Sequence, residues 1–272
     1  MNIAIQGLDT SFHAAAAKQL YGKNIDLICC QTFNDVFSSL DNQTAGRAVV
    51  AIENSLYGSI NEVYDLLIRY DFKIIAEVYE QISLHLLSVP GTTIKDIENI
   101  YSQAPALAES EEFLNSTLSH ADRHEFYDTA MAAREVNRLN SKSNAAIASM
   151  EAAKKYNLDI LARNIETHPH NYTRFIVLEK TSPDDPNANK SSITFQTKDT
   201  PGSLHDVLGV FAKNNINLSK LESRPIVGRA WRYMYYLDFE SNASKGLIDE
   251  VMAHAADVKV LGTYKKGFYE KI

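Results

Sequence analysis

The sequence predicts an α/β region over residues 1–180 followed by a smaller βαββαβ unit over residues 191–272. Three observations carry this expectation. Short apolar strands alternate with helical stretches in the first part, one proline-containing polar linker interrupts the chain, and six elements follow it in a fixed order. A chain of 272 residues is long enough for two hydrophobic cores, because single cores stop growing near this size.

Residues 2–6 alternate, with Ile3 and Ile5 on one face, and read as a strand. Residues 13–20 then read as helix, 48–52 as strand, 60–68 as helix and 73–79 as strand, and the alternation continues beyond them. At 181–190 two prolines and several turn formers replace the apolar residues, so the domain boundary is placed there. Downstream, 191–197 carries Ile193 and Phe195 on one strand face, and Leu204, Val207, Leu208 and Phe211 recur at helical spacing. Residues 216–221 give a second strand, and Trp231, Tyr233, Tyr235, Leu237 and Phe239 alternate as a third. Leu247, Ile248, Val251, Met252 and Ala255 mark a second helix, and Val258 and Val260 a final strand. This is the split-βαβ, ferredoxin-like order. Such a sheet leaves a face or edge uncovered, and pairing with a second copy is the simplest cover, which predicts a homodimer or homotetramer through this part.

Composition excludes several function classes. Hydrophobic residues at 45% and charged residues at 22% predict a sizeable core and no wholesale disorder. A net charge of −7, with no clustered Lys or Arg, argues against nucleic acid as a partner. The two cysteines, Cys29 and Cys30, are adjacent and fit neither a disulfide framework nor a zinc site. No apolar stretch reaches the ~18 residues of a membrane span and no signal-peptide pattern opens the chain, so a cytoplasmic protein with no membrane partner is expected. His168-Pro169-His170 lacks a third ligand nearby and reads as a polar loop, so no metal and no cofactor are expected.

Hydroxyls recur where helices are expected to begin: Thr10 and Ser11, Ser55 and Ser59, Ser102, Thr129, and Ser149. Each alone is accounted for as an N-cap, and Ser59 with Glu62 fits a capping box. Together, several helix N-termini at one sheet edge would make a cleft of N–H donors suited to a small anion. No glycine-rich phosphate loop is present, which favours an organic acid over a nucleotide. Two runs concentrate polar chemistry. Glu53-Asn54-Ser55-Leu56-Tyr57-Gly58-Ser59 packs a carboxylate, an amide and hydroxyls into one turn, where plain turn chemistry is an equal reading. Asn171-Tyr172-Thr173-Arg174-Phe175 sets a hydroxyl beside a guanidinium at a strand start, where Arg174 also fits an exposed strand charge.

These runs, in this order, closely resemble the prephenate dehydratase family over nearly the whole chain. The resemblance is carried by Glu53-Asn54-Ser55-Leu56 with Gly58-Ser59, Tyr101-Ser102 with Ala106-Leu107-Ala108 and Phe113-Leu114, Thr129-Ala130 with Ala132-Ala133, Ala145-Ala146-Ile147-Ala148-Ser149, Asn164-Ile165-Glu166, and Asn171 with Thr173-Arg174-Phe175. Pro201-Gly202-Ser203-Leu204 and Glu222-Ser223-Arg224-Pro225 look like an ACT domain of the phenylalanine-sensing kind. The chain departs from the family pattern at Gly7-Leu8-Asp9-Thr10-Ser11-Phe12-His13, at Gln103-Ala104, at Asp128 where serine is common, and at Ser203 in place of a frequent alanine.

The resemblance implies a two-lobed, periplasmic-binding-protein-like α/β catalytic domain, with lobes about 1–75 plus 160–180 and 76–159, followed by the ACT domain. It implies decarboxylating dehydration of prephenate to phenylpyruvate on the way to L-phenylalanine, with feedback inhibition by L-phenylalanine. Arogenate is the alternative substrate, and a non-catalytic amino-acid-sensing binding protein the alternative class. By the same resemblance Thr173 is catalytic. The expected substrate site adds Arg174, on the retained pyruvyl carboxylate, with Phe175, Glu53, Asn54, Ser55, Ser102 and Thr129; Asn54, Ser55 and Thr129 are the neutral donors and Glu53 is expected to orient the loop. Gly202, Ser203, Leu204, Glu222, Ser223, Arg224 and Pro225 bind phenylalanine. No chorismate mutase segment precedes Met1, which implies the single-activity form.

Overall fold

The computed structural model describes residues 1–181 and 185–269; Ser182, Pro183 and Asp184 of the expected linker lie outside them. In chain order the elements are β1 (Asn2–Gln6), α1 (Phe12–Tyr21), β2 (Asp26–Cys30), α2 (Phe33–Asp41), β3 (Arg47–Asn54), β4 (Gly58–Ser59), α3 (Asn61–Arg69), β5 (Lys73–Gln81), β6 (His85–Ser88), β7 (Asn99–Ser102), α4 (Ala104–Glu109), α5 (Glu111–Thr117), β8 (Asp122–Glu125), α6 (Thr129–Leu139), β9 (Asn144–Ala148), α7 (Met150–Lys155), β10 (Asp159–Ala162), β11 (Tyr172–Glu179), β12 (Lys190–Gln196), α8 (Ser203–Lys213), β13 (Leu218–Pro225), β14 (Tyr233–Phe239), α9 (Lys245–His254) and β15 (Ala256–Tyr264). By packing, the chain divides into two compact units, 1–60 with 78–175 and 61–77 with 176–272.

The first unit holds two α/β lobes. In one, β1 lies between β2 and β3, parallel to both, and the start of β11 runs beside β3. In the other, five strands take the order β10-β6-β9-β7-β8. This second sheet is apolar on both faces, as strand alternation requires when helices cover both sides. Along β9, Ala145 and Ile147 join a core with Leu107 of α4 and Leu114 of α5, while Ala146 and Ala148 join one with Ala133 of α6 and Ala153 of α7. Two segments, 82–84 and 163–171, connect the lobes along the chain. The two-lobed α/β expectation holds.

The helix starts explain several of the recurring hydroxyls. Ser11 caps α1 by accepting from the Ala14 N–H, and Ser149 caps α7 by accepting from the Ala152 N–H. Ser59 instead lies in β4, paired with Glu53, and helix α3 starts two residues later, so the Ser59–Glu62 pair falls out of capping-box register. Ser102 ends a strand and donates to the Ile147 carbonyl at 2.7 Å, a sheet contact rather than a cap.

In the second unit, β12, α8, β13, β14, α9 and β15 form an antiparallel sheet of order β13-β14-β12-β15, the ferredoxin-like arrangement expected. Ile193, Phe195, Leu237 and Phe239 point to one face and pack on Val207, Phe211, Leu247 and Val251 of the two helices. The opposite face was expected to need a second copy as its cover. Part of that cover comes from this chain, because the unit also contains α3 and the start of β5. Tyr236 donates its hydroxyl to the Tyr64 carbonyl at 2.5 Å, and the two rings meet edge to face at 4.8 Å. Burial, with Asp65 nearby, pushes the Tyr236 phenol well above its ordinary range. A Cβ at Gly262 would overlap the Ile74 carbonyl oxygen, so β15 approaches β5 closely enough to require glycine.

Strand β13 runs without a break through Glu222-Ser223-Arg224-Pro225, which the sequence placed beyond a strand ending at Leu221. Trp231, expected on the next strand, instead stands in the turn before β14 with φ 61° and 85% exposure. Alternation of aromatic residues mimicked a strand across a turn that opens at Gly228, whose φ is 81°.

Candidate active site

The end of β3 and the start of β11 are stitched together through the turn between β3 and β4. The Ser55 N–H donates to the Tyr172 carbonyl at 2.8 Å, and the Tyr172 N–H donates to Ser55 Oγ at 3.0 Å. Asn54 folds its carboxamide into this turn, where Oδ1 accepts from the Leu56 and Tyr57 N–H groups at 2.8 and 2.7 Å. That fixes the amide, because the oxygen is saturated and Nδ2 must point away from the turn. Asn54 Nδ2 donates to Thr173 Oγ1 at 3.1 Å and to Asn171 Oδ1 at 2.7 Å. Asn54, Asn171 and Thr173 are all buried.

Neighbouring positions on a strand address opposite faces, and the side-chain pairs obey this. Asn54 meets Thr173 on one face, while Glu53 meets Arg174 on the other, with Oε2 and Nη1 4.0 Å apart. Arg174 is buried and its guanidinium answers to Glu53, so the loop carboxylate and the guanidinium compensate each other. Phe175 returns to the Thr173 face and packs edge to face on His13 at 5.0 Å, making both part of the floor beneath the site. His13 Nε2 accepts from the Ala51 N–H at 3.2 Å, and complete burial pushes its pKa down to about 3, so the ring is a neutral acceptor that ties α1 to β3.

From the second lobe, Thr129 is the first residue of α6 and is buried at its N-terminus. The cap itself is Asp128, whose Oδ1 accepts from the Met131 N–H at 2.8 Å. Serine and aspartate are interchangeable as caps, which accounts for the acid at a position where serine was expected. The second carboxylate oxygen, Oδ2, is buried with no hydrogen-bond partner among the described residues, facing Gly7. Gly7 has φ 88°, and a Cβ there would lie 2.9 Å from Asp128 Oδ2. Burial, the leading cause, raises the Asp128 carboxyl above its ordinary range. A carboxyl raised by folding stabilises the fold below its unfolded value and loses that contribution as pH rises through its folded value. Asp128→Ser keeps the cap and removes the orphaned oxygen. It is expected to raise stability by ~1 kcal/mol at pH 8 and to change little at pH 4, as read by thermal unfolding at the two pH values.

The Gly7-to-His13 loop lies against α7 as well. Ser149 Oγ donates to the Thr10 carbonyl at 3.1 Å, and Lys155 pairs with Asp9. A cavity of about 1130 Å³ opens here, lined by Thr10, Ser11, Lys18, Glu80, Ser149 and Lys155 among others. A second cavity of about 440 Å³ adjoins the turn after Asn54, lined by Leu56, Tyr57, Glu109, Glu112 and His168 among others.

Of the expected substrate residues, the structure therefore gathers Asn54, Ser55 and Thr173 in one bonded cluster and Glu53 with Arg174 on the reverse face. Phe175 packs on His13 beneath the cluster, Ser102 is bonded within the second-lobe sheet, and Thr129 stands at the start of α6. Two members escaped the list of expected site residues, Asn171 and Glu109. Asn171 stood in the motif run but was given no role; it lies just before β11, two residues ahead of Thr173.

In the second unit, Gly202 adopts φ 87° at the start of α8, and with Ser203, Leu204 and Tyr235 it lines a cavity of about 520 Å³. Glu222 and Arg224 do not line it. Glu222 pairs with Lys220 at 3.4 Å, and Arg224 forms a two-pronged ion pair with Asp65 of α3 at 3.1 and 2.9 Å.

The family model for prephenate dehydratase matches residues 3–183, and that for the ACT domain matches residues 191–251. The chain belongs to the prephenate dehydratase family. As a prephenate dehydratase with a C-terminal ACT domain it is an enzyme, a carbon–oxygen lyase. It is 34% identical to a bifunctional chorismate mutase/prephenate dehydratase of Aquifex aeolicus, over all of this chain and 75% of that protein. It is 37% identical to arogenate dehydratase 4 of Arabidopsis thaliana, over 97% of this chain and 67% of that protein. Among solved structures, prephenate dehydratase from Arthrobacter aurescens in complex with L-Phe superposes with TM-score 0.87 at 27% identity, covering 98% of this chain and 90% of the other. A structure described as GqqA, a quorum quenching acylase, superposes with TM-score 0.86 at the same identity, covering 97% of this chain and 98% of the other. Structural likeness alone thus does not separate acylase from dehydratase. Among the described residues no helix is long and apolar enough to cross a membrane.

Proposed function

We propose that this prephenate dehydratase acts on prephenate itself, giving phenylpyruvate, carbon dioxide and water, and that L-phenylalanine bound in residues 191–272 restrains it. Residues 1–180 are assigned to catalysis and 181–190 to the link. The observation that carries the reading is the donation from Asn54 Nδ2 to Thr173 Oγ1. With that oxygen already accepting, the threonine hydrogen is left to donate elsewhere.

The reaction's driving force lies in the substrate, whose ring becomes aromatic. The bond from the ring to the hydroxyl breaks with its electron pair on oxygen, while the ring–carboxylate bond breaks with its pair entering the ring. Dianion plus one proton yields the phenylpyruvate monoanion, carbon dioxide and water, with the proton drawn from solvent. Thr173 contributes a hydrogen bond to the departing oxygen, a positioned dipole rather than a free acid. Thr129 supplies a neutral donor and the N-terminus of α6 adds partial positive charge, while Asn54, whose two amide hydrogens go to Thr173 and Asn171, and Ser55, whose hydroxyl donates to the His170 carbonyl, hold the turn in place. Arg174 is assigned to its ion pair with Glu53 behind the cluster.

For regulation, the left-handed Gly202 turn presents backbone N–H groups of α8 to an amino-acid carboxylate in the cavity beside it. The L-Phe complex of the Arthrobacter relative supports phenylalanine as that ligand. Inhibition then requires that phenylalanine favour one arrangement of the assembly over another. The exposed Val227 and Trp231, beyond the end of β13, support association with a second copy.

The test compares phenylpyruvate formation from prephenate with phenylalanine formation from arogenate, each with and without added phenylalanine. The expected result is a higher kcat/KM for prephenate, falling as phenylalanine is added. A preference for arogenate reassigns the substrate, and indifference to phenylalanine removes the regulatory reading.

A further inference from the structure

Behind Thr173 runs a line of hydrogen bonds whose far end is Glu109, the last residue of α4. Asn54 Nδ2 donates to Thr173 Oγ1 and to Asn171 Oδ1, and Asn171 Nδ2 donates to Glu109 Oε2 at 2.7 Å. We propose that Glu109 is a positioning residue for the dehydration, holding Asn171 and through it Asn54 in the one amide orientation that donates to Thr173 and leaves the threonine proton for the departing hydroxyl. This rests on the role given above to Thr173.

The polarity of the line is set from both ends. At one end two backbone N–H groups saturate Asn54 Oδ1. At the other, a carboxylate is an acceptor only and obliges Asn171 to present its NH₂. Asn171 Oδ1 then faces Asn54, and no amide in the line can flip without setting donor against donor. Asn171 is completely buried, so water does not replace a lost partner. The backbone holds the line in place as well, since the Thr167 N–H donates to the Glu109 carbonyl at 2.7 Å and the Ile82 N–H to the Asn171 carbonyl at 2.8 Å. Glu109 thereby joins the second lobe to the residues that carry the chemistry.

Burial, chiefly, raises the Glu109 carboxyl to about 7, with Glu166 adding to the shift and the Asn171 bond opposing it. Glu111 and Glu112 on α5, with Tyr57 and His168, line the same cavity. At pH 8 the carboxylate form predominates, so that is the pH for the test.

Steady-state kinetics with prephenate at pH 8 are compared for wild type, Glu109→Ala and Glu109→Gln, with thermal unfolding confirming that each is folded. Glu109→Ala is expected to lower kcat ~10-fold or more, the order expected when a buried donor loses its acceptor, with KM changed less than ~3-fold. Glu109→Gln, whose amide oxygen still accepts from Asn171, is expected to recover kcat to within ~3-fold. Wild-type kcat in the alanine variant, or equal loss in both variants, overturns the proposal. A substrate-free readout separates this from failure of the reaction assignment. The Asn54 side-chain amide resonances in ¹⁵N-edited NMR should shift in Glu109→Ala and return in Glu109→Gln, and unchanged resonances in Glu109→Ala contradict the relay whatever the enzyme turns over.

Discussion

Thr173→Ala is expected to lower kcat for phenylpyruvate formation by ~10²–10³-fold while leaving the unfolding temperature close to that of the wild type. The activity loss follows because the methyl group that remains donates nothing to the departing hydroxyl. The fold survives because Asn54 Nδ2, the donor that Thr173 would leave behind, retains Asn171 Oδ1 at 2.7 Å. Thr173→Ser restores the hydroxyl without the branched methyl that fixes its rotamer, and should sit between the two, within ~10-fold of wild type. KM is expected to change little in either variant, because the interaction removed is one that strengthens as the bond breaks. An alanine variant with wild-type kcat would remove Thr173 from the mechanism.

The largest stability effect is expected in the second unit, at Lys190. Its side chain is 2% exposed and its ammonium lies 2.8 and 3.1 Å from the two oxygens of Glu77, whose side chain is 0% exposed. The Gly267 N–H adds a third bond to this carboxylate at 3.0 Å, and Asp238 stands 4.0 Å from the ammonium. Replacing one partner of such a pair strands a buried charge, so Lys190→Met should cost ~3–5 kcal/mol. At roughly 2–4 °C per kcal/mol for a chain of this size, the unfolding temperature should fall by about 10 °C. The double variant Lys190→Met with Glu77→Met should recover most of the loss, since apolar packing of similar volume replaces both charges. Additive losses in the double variant would contradict the pairing.

The fold was legible where one period governs a whole element. Ile3 and Ile5 define β1, and Val207 with Phe211 define the buried stripe of α8, because burial on one face leaves a direct mark on the sequence. Trp231 misled for the same reason in reverse, since its spacing fits the strand but a turn with positive φ lifts it into solvent. The pairing of α3 with the face of the last sheet left no local signal, as Tyr64 and Tyr236 stand 172 positions apart.

The site was legible as a set of motifs but not as a geometry. Thr173 and Asn54 were readable from their runs, whereas the assignment of Arg174 to the reverse face depends on strand direction at the site, which alternation alone leaves open until the strand ends are known. Glu109 was invisible, because an acidic residue closing a short helix reads as solvated until the fold sets Asn171 against it, 62 positions away. Asp128 stood out as a departure from a common serine and is a helix cap.

The central claim is tested most directly by incubating the purified enzyme with prephenate at neutral pH and following phenylpyruvate and carbon dioxide together. One mole of each per mole of prephenate, at a rate far above the spontaneous one and cut ~10²–10³-fold in Thr173→Ala, is the predicted result. Prephenate left unconsumed, or equal turnover by the alanine variant, would contradict it.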